Sequence, residues 1–159
     1  MENQTYVSIL VATLRKKDSV LNELIILTDQ QKEMIDKGDV STDVFESFLS
    51  RKDSLIQELN RLDEGFEAIY ERVKQELTTH GALFKDEIIE MQNLIGKITD
   101  KSVTLQTAEK RNQSSMEAFF AGRRKEIKDY HVNHRTVTSY YKSMANTHQG
   151  QSYFMDKKK

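Results

Sequence analysis

The sequence predicts an all-α protein: an elongated antiparallel bundle of three long helices, with a short C-terminal helix or a flexible tail. Three observations carry this. No proline occurs in 159 residues, and proline is the residue that most reliably breaks a helix. Apolar side chains recur at heptad spacing through three long stretches, the pattern of a helix with one buried stripe. Clusters of turn-favouring residues near 37–42 and 79–82 separate the stretches, and short turns between long helices make sequential neighbours antiparallel.

The first helix, about residues 2–37, carries Val7, Leu10, Leu14, Leu21, Leu24 and Ile35 on its heptad. Lys17, Thr28 and Gln31 interrupt that stripe, and Ile25, Ile26 and Leu27 widen it. A wide stripe suits a helix packed against two others rather than a two-stranded coiled coil. The first break, DKGDVSTDVFE, offers Gly38 as a C-cap and Ser41, Thr42 and Asp43 as N-caps, with Glu46 placed for a capping-box-like pair with Asp43.

The second helix, about 42–80, repeats the pattern with Phe45, Phe48, Leu55, Leu59, Leu62, Phe66, Ile69 and Val73, and Lys52 as the exception. It ends at TTHG, where two β-branched threonines and Gly81 favour a break. The third, about 82–130, presents Phe84, Ile88, Met91, Ile95, Ile98, Leu105, Met116 and Phe119, with Ser102, Glu109 and Asn112 on the same seam. Polar seam positions predict a thinner or wetter core there.

A second helix of about 38 residues is about 57 Å long, so the third reaches the far end of the hairpin by about residue 120. Large apolar residues continue past that point: Phe119, Phe120, Ile127, Tyr130, Val132, Val137, Tyr140, Tyr141 and Met144. Two readings stand. A short fourth helix, over 134–145, folds back on the bundle, or this surface awaits a partner. The expected organisation is one bundle domain over 1–144 and a flexible tail over 145–159. That tail holds three adjacent large apolar residues, Tyr153, Phe154 and Met155, before three lysines. They form a plug over the partner site, a docking element, or an incidental feature of a disordered end.

Composition narrows the function. The charged fraction is 31% and the hydrophobic fraction 37%, with no cysteine and no tryptophan. Without cysteine there are no disulfides, no thiol chemistry and no cysteine-based zinc or iron–sulfur sites, which fits a reducing cytosol. The start, MENQTYVSILVATLRKKD, lacks the basic region of a signal peptide. No apolar run approaches the roughly 20 residues that span a bilayer. The expectation is a soluble, cytoplasmic protein. Net charge is −1, but residues 110–159 hold 11 Lys/Arg against 4 Asp/Glu, while residues 1–109 hold 13 against 21. A basic C-terminal part on an acidic body binds anions, or its own body.

No catalytic constellation is present. The six glycines are scattered singly, so no phosphate loop forms, and no Gly-x-Ser-x-Gly elbow surrounds a serine. The Glu-x-x-His pairs of di-iron bundles are absent, since Glu76 and His80 are four apart. His131 and His134 share a helical face with Asp129 nearby, but Arg123, Arg124, Lys125, Lys128 and Arg135 repel a cation there. The basic stretch has tyrosines for stacking, yet Glu117, Glu126 and Asp129 interleave and the acidic body opposes phosphate. No enzyme activity, cofactor, metal or nucleic-acid partner is expected.

The segments LNELIILTDQQKEMI, FESFLSRKDSLIQELNRLDEGFEAIYERV and DEIIEMQNLIGKITDKSVTLQTAEKRN, with the close TVTSYYKSMANTHQGQSYFMDKKK, resemble the FlgN-type flagellar export chaperones. FliT-like proteins are close functional relatives. The closing YY-K-M and DKKK are the most idiosyncratic part. The resemblance implies a cytoplasmic chaperone without ATPase activity. It would bind the C-terminal helical segment of the hook–filament junction proteins FlgK and FlgL, or the filament-cap protein, and deliver it to the flagellar type III export apparatus. A self-associating bundle, such as an antiparallel homodimer, is the alternative. Expected partner-binding residues are Phe119, Phe120, Ile127, Tyr130, Val137, Tyr140, Tyr141, Met144, Tyr153, Phe154 and Met155.

Overall fold

The computed structural model describes residues 2–38, 41–119 and 149–156. Three long helices, α1 (Glu2–Asp36), α2 (Thr42–Thr79) and α3 (Lys85–Phe119), pack together, and a short helix, α4 (Gln149–Asp156), docks on them. Among the described residues there is no strand.

Both breaks fall where the sequence places them. Gly38 follows α1 with φ of 69° and donates its N–H to the Ile35 carbonyl at 3.0 Å. That left-handed conformation suits glycine, because a Cβ would crowd the following carbonyl. Ser41 is the N-cap of α2. Its backbone is extended, and its hydroxyl accepts from the Val44 N–H at 3.2 Å. Asp43 therefore lies in the first turn rather than at the cap, where its charge favours the positive end of the helix. At the other break α2 closes with the His80 N–H on the Glu76 carbonyl at 2.7 Å. A 3-10 turn, Gly81–Phe84, then buries Phe84 and leads into α3.

The heptad residues of α1 are buried as expected, joined by Val11 and Val20. Ile26 departs from expectation: it is 55% exposed, while its neighbour Leu27 is buried. Adjacent helical residues are about 100° apart, so Ile26 turns away when Leu24 and Leu27 face inward. The main core runs from Val7 to Leu105 through all three long helices and includes Phe154 of α4. A smaller cluster of Ile35, Phe45 and Met116, with Leu49 and Phe119 against it, closes the opposite end.

The polar interruptions are all in the core. Lys17, Thr28, Gln31, Lys52, Ser102, Glu109 and Asn112 are each at most 1% exposed. Lys17 pairs with Asp63 and the Ser102 hydroxyl bonds the Ile98 carbonyl of its own helix, whereas the other five pair with one another in a single layer. Lys52 donates to Glu109 at 2.5 Å and to the Gln31 side-chain oxygen at 2.6 Å. The Thr28 hydroxyl reaches Glu109 at 3.3 Å, and the Asn112 amide donates to the Thr28 carbonyl at 2.9 Å. This layer ties α1, α2 and α3 at one level and separates the main core from the end cluster.

α1 packs along both α2 and α3. The backbones of α2 and α3 come close at hardly any point among the described residues, although their side chains meet at Lys52–Glu109 and Phe45–Met116, and α4 lies against both helices. The molecule therefore has a seam between its second and third helices that α4 occupies. Of the two endings the sequence allows, a short C-terminal helix is present: residues 149–156 are helical, because a groove elsewhere in the fold buries Phe154, and the rest of the span 145–159 lies outside the described residues. The expected continuation of α3 to 130 and the short helix over 134–145 fall outside the described residues.

Candidate functional site

An eight-residue helix is marginal in water on its own, so α4 owes its form to what it rests on. Successive residues point about 100° apart, so Tyr153, Phe154 and Met155 together sweep about 200° of the helix. Phe154 is fully buried, while Tyr153 and Met155 are half-buried on either side. The groove thus grips α4 from both flanks rather than supporting it from below.

Its floor is aromatic. The Phe154 ring meets Phe66 edge-on at 6.1 Å and Tyr70 at 5.9 Å, and Tyr153 packs on Tyr70 at 5.7 Å. Phe66 and Tyr70 are one turn apart on α2, so they face the seam together. Burying a side chain such as Phe154 is worth about 1.5–3 kcal/mol, and each aromatic pair adds about 0.5–1.5 kcal/mol. Burial, then Tyr153, Glu71 and Glu67, hold the Tyr70 phenol above its ordinary pKa.

Polar groups at two places accompany that floor. Gln92 of α3 donates its amide N–H to the Phe154 carbonyl at 2.8 Å. That carbonyl is among the last four of α4, which have no partner within the helix. About one turn of α4 away, Lys17 of α1 is paired with Asp63 of α2 at 2.6 Å, both buried. Burial lowers the Lys17 pKa, against the opposing pull of Asp63 and Glu67. Gln151 of α4 lies over this pair: its amide oxygen faces the Lys17 ammonium and its amide nitrogen faces Asp63, each at 3.5 Å, the long limit of a hydrogen bond. Gln151 at Asp63 and Phe154 at Phe66 and Tyr70 mean that α4 runs parallel to α2 and antiparallel to α3.

Of the residues expected to bind a partner, the groove therefore holds Tyr153, Phe154 and Met155. Phe119 lies apart from them, half-buried on the end cluster of Ile35, Phe45 and Met116. Phe120, Ile127, Tyr130, Val137, Tyr140, Tyr141 and Met144 lie outside the described residues, as do His131 and His134. Sequence reasoning missed Phe66, Tyr70, Gln92, Asp63 and Gln151 as parts of a site. Phe66 reads as one more heptad residue. Asp63 follows Leu62 off the apolar stripe, so no local signal marks it.

A separate concavity of about 440 Å³ lies between α1 and α2, lined by Leu27, Val44, Phe48 and Arg51 among others. Among the described residues, no cluster of three or more His, Cys, Asp or Glu is arranged to hold a metal ion. No described helix is long and apolar enough to cross a membrane.

The protein family described as FlgN protein matches residues 1–148. The chain belongs to the FlgN family. FlgN proteins are flagellar export chaperones, a family without enzymatic activity, and the bundle described above is this chain's version of them. The match covers all three long helices and the YYKSM segment; α4 and the terminal DKKK follow it. No curated protein and no solved structure matches the chain.

Proposed function

We propose that this FlgN-family protein works in the cytoplasm. It holds the C-terminal helical segment of hook–filament junction proteins of the FlgK and FlgL type, or of the filament-cap protein, and delivers it to the flagellar type III export apparatus. The observation that carries this reading is α4 seated between α2 and α3. A groove that accepts one short amphipathic helix through Phe66 and Tyr70 has the shape and surface to accept another. A free client helix pairs with other subunits, and covering its apolar face keeps it unassembled. Three or four buried aromatic or aliphatic side chains at about 1.5–3 kcal/mol each reach micromolar binding or better after association costs.

In this reading α4 and a client compete for one seat, so apparent affinity falls by the fraction of chains with the seat open. Phe119, Phe120, Ile127, Tyr130, Val137, Tyr140, Tyr141 and Met144 extend the contact beyond the groove. Calorimetry with C-terminal helical fragments of the junction and cap proteins is the test. The full chain should bind at least one fragment, and deleting residues 149–159 should tighten that binding. Replacing Tyr140 and Tyr141 with alanine should weaken it. If no fragment binds either form, and size measurement shows a concentration-dependent dimer instead, the chain is a self-associating bundle and the reading fails.

A further inference from the structure

The groove carries more than an apolar floor, and its polar groups say what kind of helix fits. Resting on the chaperone reading above, we propose that the α2–α3 groove recognises the C-terminal turn of a partner helix. That helix carries an amide side chain three residues before a buried aromatic, the aromatic being flanked by large apolar neighbours.

Three features require this chemistry together. Phe66 and Tyr70 set an aromatic-sized slot, filled by Phe154 at 0% exposure. Gln92 offers an N–H to a backbone carbonyl at 2.8 Å. Carbonyls in the middle of a helix are already bonded to the N–H four residues on, so a donor placed here selects a last turn. The buried Lys17–Asp63 pair presents a cation and an anion side by side to whatever covers it. Of the uncharged side chains, a primary amide is the one that faces both, with a carbonyl oxygen toward the ammonium and an N–H toward the carboxylate. Gln151 does so in α4, three residues before Phe154. An apolar residue there leaves the pair covered without polar contact, and an extra carboxylate or ammonium adds a like charge beside one member of it. α4 is thus an internal copy of the partner's binding end, and it displays the code that the partner must match.

The test uses full-length chain with Phe154→Ala, which empties the slot but leaves the bundle residues untouched, and the wild-type chain beside it. The probes are stapled helical peptides of about twelve residues. One has Gln and Phe three apart in the last two turns, a second has Leu for that Gln, a third has Ala for that Phe, and a fourth places the pair in the first turn. The matched peptide should bind the Phe154→Ala chain more tightly than wild type, in which α4 competes. Loss of the Phe should weaken binding by tenfold or more, the scale of one well-packed aromatic. Loss of the Gln, moving the pair to the first turn, or Gln92→Leu in the chain should each weaken it roughly threefold to tenfold, as expected for one hydrogen bond. Equal affinity for all four peptides overturns the proposal. So does a junction- or cap-protein fragment that binds without competing with the matched peptide, an outcome that leaves the chaperone reading intact. If the matched peptide binds with this pattern and no such fragment does, the groove chemistry stands and the assignment of clients falls.

Discussion

Lys52 and Lys17, both buried, sit in different surroundings. Lys52 lies within the three long helices, bonded to Glu109 of α3 and Gln31 of α1, with Thr28 and Asn112 completing the layer. Lys17 pairs with Asp63 across α1 and α2, and Gln151 of the short α4 lies over the pair. Burial lowers the pKa of both ammonium groups, and the carboxylate beside each works against it. The difference lies in what encloses them. One pair is shut in by helices that cannot leave without unfolding. The other is covered by a helix whose departure opens it to water. The Lys52 layer has a cost of its own: among the described residues the Gln31 amide nitrogen and the Asn112 amide oxygen are buried with no protein hydrogen-bond partner, at about 1–3 kcal/mol for a group left unsatisfied. A layer kept at that cost suits a register device, since sliding any helix by one turn would strand a charge.

The largest expected effect is on the enclosed pair. Glu109→Ala leaves Lys52 charged, buried and uncompensated, and should destabilise the fold by about 3–5 kcal/mol. Replacing both partners, Lys52→Met with Glu109→Leu, should be near neutral or stabilising. Urea denaturation of the three proteins checks both. A double variant as unstable as Glu109→Ala would mean that shape, not charge, dominates the site.

A smaller effect is expected at the covered pair. In Asp63→Ala the chain can relieve Lys17 by releasing α4, so the loss is limited to the few kcal/mol that dock this helix. Hydrogen exchange should show α4 amides losing protection while those around Leu55 and Leu105 keep theirs. Uniform loss across the bundle would erase the contrast between the two pairs.

The smallest effect is on pH dependence. A lysine whose folded pKa lies below the ordinary 10.5 leaves the unfolded chain holding more protons between those two values. Stability from this group therefore rises with pH through that window and is flat below it. The parent chain should show this positive slope below pH 10.5 relative to the Lys52→Met, Glu109→Leu variant, read as the difference in urea midpoints. Matching pH profiles would contradict it.

Much of the bundle was legible because heptads and breaks are local signals. Gly38 needs only its own backbone angle, and Ser41 only a neighbour three residues on. The polar seam residues were legible as positions, since Lys52 and Glu109 interrupt apolar stripes, but their pairing across 57 residues was not. The burial of Asp63 was not legible, because its partner Lys17 lies on another helix. Phe154 stood out as an apolar residue with no local shelter. Its seat is built from Phe66, Tyr70 and Gln92, the last 62 positions away, and no local pattern discloses a groove of that kind.

The central claim is that the seat of α4 is the seat of a client. The chain has no tryptophan, so Tyr153→Trp in the full-length protein creates a single reporter at the edge of the groove. Its emission and acrylamide quenching, followed while a tryptophan-free C-terminal fragment of a junction or cap protein is added, test the claim directly. Displacement of α4 predicts a red shift and greater quenching that saturate with the binding isotherm. Binding seen by calorimetry with the tryptophan signal unchanged would contradict it.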